Sequence, residues 1–179
     1  DAPLLATFRT KGEGGEKAIG VQDYAELLAK VAASGKADLI DGELTMLEQM
    51  PEMVAAVHLA GGVLLGSCHD FDKTPSKEEI ISSMLRMQEM GCDILKMATM
   101  PVSRRDVITL LAATEEMVSD HAKVPVVTMS MTGKGVVSRL VGEAFGSSIT
   151  FGCFGKPSAP GQIDARTLDV VLGAIHEAL

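Results

Sequence analysis

Asp93-Ile94-Leu95-Lys96-Met97-Ala98-Thr99-Met100-Pro101 reads as a short buried strand with a lysine in its middle. Lysine is rarely buried without a partner or a chemical task. Burial disfavours the ammonium, so a buried lysine sheds its proton more readily. A neutral lysine attacks carbonyl carbon, which is the first step of Schiff-base catalysis. Moving its pKa from about 10.4 to about 7.4 costs about 4 kcal/mol. The alternative is a lysine whose stem packs while its head reaches water.

Outward from this stretch, strands alternate with helices. Apolar strands are expected at residues 3–9, 37–41, 63–67, 124–130 and 148–151 besides the lysine strand. Helical spacing fills residues 21–34, 46–60, 76–90, 103–121, 136–145 and 165–179. Pro51 interrupts the second helix near its start, and Gly35 and Gly91 stop the first and third. Ser76 with Glu79 forms a capping box, Ser103 caps the next helix and Asp164 the last. A βα unit roughly every 24 to 32 residues is the signature of a parallel sheet. Six units are expected, whereas a closed (β/α)8 barrel has eight and typically about 250 residues. Arg9-Thr10-Lys11-Gly12-Glu13-Gly14-Gly15 lacks the GxGxxG order, which argues against a dinucleotide fold.

The 179 residues suffice for one domain with a substantial core. Net charge is −8 with no basic run, so neither nucleic acid nor an anionic membrane surface is an expected partner. No apolar stretch approaches the roughly 18 residues that a membrane helix needs. Cys68, Cys92 and Cys153 are odd in number and far apart, which suits a reducing, cytoplasmic compartment. No CxxC or histidine-rich cluster points to a metal.

Polar residues recur at the C-terminal ends of the strands: Arg9 with Glu13, Asp41 with Glu43, His69, Lys96, Ser130, then Ser158 with Gln162. In a βα barrel those ends form the active-site face. Each also has a plainer reading. Arg9 and Glu13 suit a solvated loop, Asp41 a turn cap, His69 a backbone-bonded histidine and Arg139 a helix salt bridge.

These residues carry a resemblance. Phe8-Arg9 with Glu13-Gly14-Gly15-Glu16 and His69-Asp70-Phe71 with Lys73-Thr74-Pro75 resemble type I 3-dehydroquinate dehydratase. So do Lys96 with Met100-Pro101, Ser130-Met131 with Gly135, and Ser138-Arg139-Leu140. The strongest match is Thr150-Phe151-Gly152 followed by Ser158-Ala159-Pro160-Gly161-Gln162. The resemblance covers essentially the whole chain. It implies a (β/α)8 barrel of the class I aldolase type, usually a homodimer. It implies loss of water from 3-dehydroquinate to give 3-dehydroshikimate, in the shikimate pathway of aromatic amino acid biosynthesis, without metal or coenzyme. Carried over by position, Lys96 forms the imine, His69 is the general acid–base group and Glu13 orients His69. Arg139 takes the substrate carboxylate, and Arg9, Ser158 and Gln162 contact hydroxyls and carboxylate.

The resemblance has one departure. Members carry about two more of the eight strands before the position of Arg9, with a Glu-x-Arg pair that grips substrate. Nothing here matches that pair. Residues 1–179 are therefore expected to be one βα-barrel domain, N-terminally incomplete and covering about strands three to eight. The first residue, Asp1 rather than methionine, points the same way. A missing N-terminal segment is expected in the functional protein, because an open sheet exposes its edges. Two other readings stay open. One is a Schiff-base aldolase on the same barrel, which should show a phosphate-binding glycine loop. The other is a catalytically inactive fragment that serves as an assembly module.

Overall fold

The computed structural model describes residues 2–179; Asp1 lies outside them. The chain forms two compact units, one from residues up to 69 together with 83–96, the other from 70–82 and 97–179. Among the described residues, five strands, Leu5–Ala6, Leu39–Glu43, Val63–Asp70, Ile94–Thr99 and Val126–Ser130, hydrogen-bond in that order in a parallel sheet.

The first unit opens with a two-residue strand, β1 (Leu5–Ala6), shorter than the seven residues expected. Helix α1 (Val21–Ala33) follows. Its buried residues, Tyr24, Leu28 and Ala32, recur every four positions and form one apolar stripe. That stripe packs on β2 (Leu39–Glu43) and on α3 (Glu52–Leu59). The helix expected at 46–60 is two helices, α2 (Leu44–Gln49) and α3. Pro51 has no N–H to continue the ladder, and Met50 before it leaves helical geometry at φ −146° and ψ 77°. Strand β3 (Val63–Asp70) pairs in parallel with β2, with Asp41 opposite Leu65 and Glu43 opposite Ser67. Ile40, Leu64, Leu65 and Leu95 are fully buried, each contributing roughly 1.5–3 kcal/mol. Gly66 is required by packing: a Cβ there would lie 2.6 Å from Cys92 Sγ.

Helix α4 (Lys77–Glu89) and strand β4 (Ile94–Thr99) contribute residues to both units. The capping box at the start of α4 forms: Ser76 N–H donates to Glu79 Oε2 at 2.8 Å, and Glu79 N–H to Ser76 Oγ at 3.2 Å. Every residue of β4 is buried, Lys96 included.

In the second unit, α5 (Arg104–Glu116) starts at a Ser103–Asp106 capping box and ends in a π-helical turn, Met117–His121. It packs on β5 (Val126–Ser130). This strand starts two residues later than expected because Pro125 has no donor. Helix α6 (Val136–Leu140) is shorter than expected and is followed by a 3₁₀ turn, Glu143–Phe145. Helix α7 (Ala165–His176) is capped by Asp164, which accepts from the amides of Arg166 and Thr167. The expected sixth strand at 148–151 is not a strand. Ser147 makes an isolated parallel bridge to Val126, and Ser148 N–H donates to the Val126 carbonyl. Beyond that point the backbone groups find other partners: the Phe151 carbonyl accepts from Arg139, and Cys153 bonds residues 163 and 165.

Candidate active site

In the first unit, the alternation of strand side chains sets the site. Asp41 and Glu43 are two apart on β2, and Ser67 and His69 two apart on β3, so each pair shares one face of the sheet. Lys96 stands on β4. Arg9 follows β1, and Glu13 sits on a 3₁₀ turn, Lys11–Glu13, closed by Gly14 at φ 89°.

Lys96 is 7% exposed, so its head does not reach bulk water as a surface lysine's would. Its Nζ lies 2.8 Å from His69 Nε2 and 3.9 Å from Asp41 Oδ2. His69 Nδ1 lies 2.8 Å from Glu13 Oε2, and the same oxygen accepts the His69 backbone N–H at 3.1 Å. Thr45 Oγ1 donates to the other Glu13 oxygen at 3.2 Å. The resulting order is amine, imidazole, carboxyl. With Nδ1–H donated to Glu13, the Nε2 lone pair faces Lys96.

Arg9 is gripped on several sides. Its Nη2 donates to Asp41 at 2.5 Å, and its Nη1 donates to Glu43 at 2.9 Å and to Ser67 Oγ at 3.1 Å. Ser67 Oγ in turn donates to Asp41 Oδ1 at 2.6 Å. Glu43 also accepts from the amide and hydroxyl of Thr10, both at 2.7 Å. The chain's one tyrosine, Tyr24, accepts the Glu43 amide at 3.0 Å. These buried carboxylates are thus paired and hydrogen-bonded, the condition on which burial of charge is tolerable.

The electrostatics follow from that crowding. Burial, and then the charge of Glu43, push the Glu13 carboxyl up to about 8, against the pull of Arg9 and Thr45. Burial, then the positive charges of Lys96 and Arg9, push His69 well below its ordinary value, so it is a neutral imidazole near pH 7. Glu13 then exists in both protonation states near pH 8, a condition suited to passing a proton to and from Nδ1. The linkage has a definite sign. The folded chain holds a proton on Glu13 that the unfolded chain has released above its model value of 4.5. Stability therefore falls as pH rises toward 8. His69 contributes the opposite slope, but only below its unfolded value of 6.5. Between pH 6.5 and 8 Glu13 contributes a falling slope worth at most about 2 kcal/mol at about 1.4 kcal/mol per pH unit. Urea midpoints measured across that interval should fall in the parent and stay level in Glu13→Gln. A level parent profile would show that Glu13 is ionised throughout.

Arg139, Ser158 and Gln162 belong to the second unit. Arg139 is 1% exposed. Its Nη1 and Nη2 donate to the carbonyls of Phe151 and Pro160, both at 3.4 Å, and Nε has no hydrogen-bond partner. Among the described residues, no carboxylate lies within 4.0 Å of it. Burial lowers the affinity of this guanidinium for its proton. Gln162 Oε1 accepts from the Ser158 amide at 2.7 Å and the Ser158 hydroxyl at 3.2 Å, drawing residues 158–162 into a tight loop. Gly161, at φ 81°, is obligatory there: a Cβ would lie 2.4 Å from the Thr132 carbonyl oxygen.

Sequence reasoning named Asp41 and Glu43 as polar strand ends without giving them a task, and passed over Ser67, Thr45 and Tyr24. The signal was present: two acids at i, i+2 in an apolar strand point the same way. What the sequence did not carry was their common partner, Arg9, which lies 32 and 34 residues away.

Comparison with known proteins bears on the same residues. The family profile described as Type I 3-dehydroquinase matches residues 1–178. The 3-dehydroquinate dehydratase of Clostridioides difficile strain 630 is 48% identical over 180 residues, covering 100% of this chain and 71% of that protein. The 3-dehydroquinate dehydratase of Shigella flexneri serotype 5b is 50% identical over 179 residues, covering 99% and 71%. Among solved structures, the type I 3-dehydroquinate dehydratase of Clostridium difficile with covalently modified comenic acid aligns with a TM-score of 0.94 at 48% identity, over 99% of this chain and 70% of that one. The 3-dehydroquinate dehydratase of Geobacillus kaustophilus HTA426 gives 0.94 at 36% identity, over 98% and 68%. Because the profile and the alignments run the length of a chain whose lysine, histidine and glutamate stand in line, the chain belongs to the type I 3-dehydroquinase family.

Proposed function

We propose that this protein removes water from 3-dehydroquinate to give 3-dehydroshikimate through an imine on Lys96. The observation that carries the reading is the Lys96–His69–Glu13 line, with 2.8 Å between the amine and Nε2 and 2.8 Å between Nδ1 and the carboxyl. Family membership supplies the substrate class. Lys96 Nζ attacks the ketone carbon, the C=N bond forms and the carbonyl oxygen leaves as water. The protonated imine draws electrons from the adjacent C–H bond, whose proton passes to His69 Nε2. The enamine then expels the β-hydroxyl, which takes that proton and departs as a second water. Hydrolysis of the product imine consumes one water and restores the amine, so the net change is loss of one water. Glu13 stabilises the imidazolium that exists between the two proton transfers.

Arg139 is the carboxylate receptor in this reading, because a buried guanidinium without a carboxylate gains most from an anionic ligand. By the resemblance, Ser158, Gln162 and Arg9 also contact the substrate's hydroxyls and carboxylate. The strands belong to a (β/α)8 barrel of the class I aldolase type, residues 1–179 forming a single βα-barrel domain. The matched 70–71% of each relative is close to what about six of the eight βα units would occupy. The resemblance also implies a homodimer, which native mass measurement tests, and the three scattered cysteines suit a cytoplasmic setting.

The test of function is direct. Native protein mixed with 3-dehydroquinate should generate the ultraviolet absorbance of a conjugated enone carboxylate, with product mass lower by one water and every ring carbon retained. No enone, or fragments from carbon–carbon cleavage, overturns the dehydratase reading.

A further inference from the structure

We infer that Asp41 is the counter-ion of Lys96, a positioning residue that holds the positive charge carried first by the amine and then by the imine. The inference rests on the dehydratase reading and adds a residue to it. Several ionisable groups of the first unit stand near Lys96. His69 touches Nζ and is neutral, Glu13 stands behind His69, and Glu43 is turned to Arg9 and Thr10. Asp41 Oδ2 lies 3.9 Å from Nζ, within reach of the lysine charge. Nothing in β4 itself adds a charge, since its other residues are Ile94, Leu95, Met97, Ala98 and Thr99.

Asp41 is also built to stay in place. It is 1% exposed, its Oδ1 is fixed by Ser67, and its Oδ2 is fixed by Arg9 Nη2. A carboxylate held by charge-assisted bonds is a rigid pole that costs no reorganisation when charge develops beside it. Arg9 neutralises part of that pole. The pair therefore presents to Lys96 a damped negative charge rather than that of a free carboxylate. Glu43 anchors the same arginine and is bonded to Thr10, which makes it the natural comparison.

The test is the pH dependence of imine formation and turnover in the native protein. Neutralising Asp41, as Asp41→Asn or Asp41→Ala, removes the charge that favours the protonated lysine. The acid limb of borohydride trapping with 3-dehydroquinate should then move to lower pH by about half a unit or more. Turnover should fall about tenfold or more, because the iminium loses its pole. Asp41→Glu, which keeps the charge, should return the limb toward the parent. Glu43→Gln should leave the limb where the parent has it, whatever it does to stability. Whichever neutral variant keeps the parent's unfolding midpoint is the one read. An unmoved limb, or an equal shift in Glu43→Gln, overturns the counter-ion role and makes Asp41 an anchor for Arg9 alone. A parent that neither traps nor turns over overturns the dehydratase reading, and this inference with it.

Discussion

Borohydride added to the protein in the presence of 3-dehydroquinate is expected to attach one reduced ligand to Lys96 and to no other lysine. The selectivity follows from environment. Lys30 and Lys77 have side chains 75% and 37% exposed and are paired with Glu26 and Glu116, whereas Lys96 is 7% exposed and faces an imidazole lone pair. An exposed ammonium at neutral pH is protonated and unreactive toward a ketone. An amine held beside Nε2 can release its proton to the neighbour and attack. Lys96→Ala should abolish the adduct and reduce turnover by about 10⁴-fold or more, because both covalent capture and its positioning disappear. Lys96→Met, of similar volume and without the amine, separates chemistry from packing. It should fold as the parent does, with the same loss of adduct and turnover. A peptide map that finds the reduced ligand on another lysine would remove Lys96 from its role.

How much of this was legible in the chain depends on the length scale of the signal. Caps and breaks were local and were read correctly: the Ser76–Glu79 box, the Ser103 and Asp164 caps and the interruption at Pro51. The alternation of strands and helices was legible because apolar runs and capped amphipathic runs differ in period. Strand extents were less so. Residues 148–151 have strand-like composition, but whether they pair depends on partners distant in sequence, and Arg139 takes the carbonyl of Phe151. The site was half legible. Lys96 and His69 stand out as ionisable residues at strand ends, where an apolar context makes them conspicuous. Arg9 read as a substrate contact, yet its strongest contacts here are Asp41, Glu43 and Ser67. That mesh depends on the register that sets Glu43 opposite Ser67, and no single stretch of sequence encodes a register.

Removing the imidazole should separate capture from elimination. In His69→Ala the amine of Lys96 survives, so the imine forms and borohydride still traps it. What disappears is the base that takes the proton beside the imine carbon and returns it to the departing hydroxyl. Turnover should fall by roughly 10²- to 10⁴-fold, the span usual for positioned acid–base groups. The trapped adduct should carry the mass of substrate before water is lost. Burial and the charges of Lys96 and Arg9 keep His69 neutral, hence able to accept a proton, near pH 7. The parent's rate should therefore show no acid limb near the ordinary histidine value of about 6.5. Glu13 supports this role from behind: its carboxyl, 2.8 Å from Nδ1 and raised to about 8, accepts the ring N–H, and its ionised form, populated near that pH, stabilises the imidazolium while it lasts. Glu13→Gln should then slow turnover by less than His69→Ala does, because the amide still orients the ring but offers no charge. If His69→Ala turns over within a few-fold of the parent, or if its trapped adduct has already lost water, the proton is moved by another group and His69 only packs against Lys96.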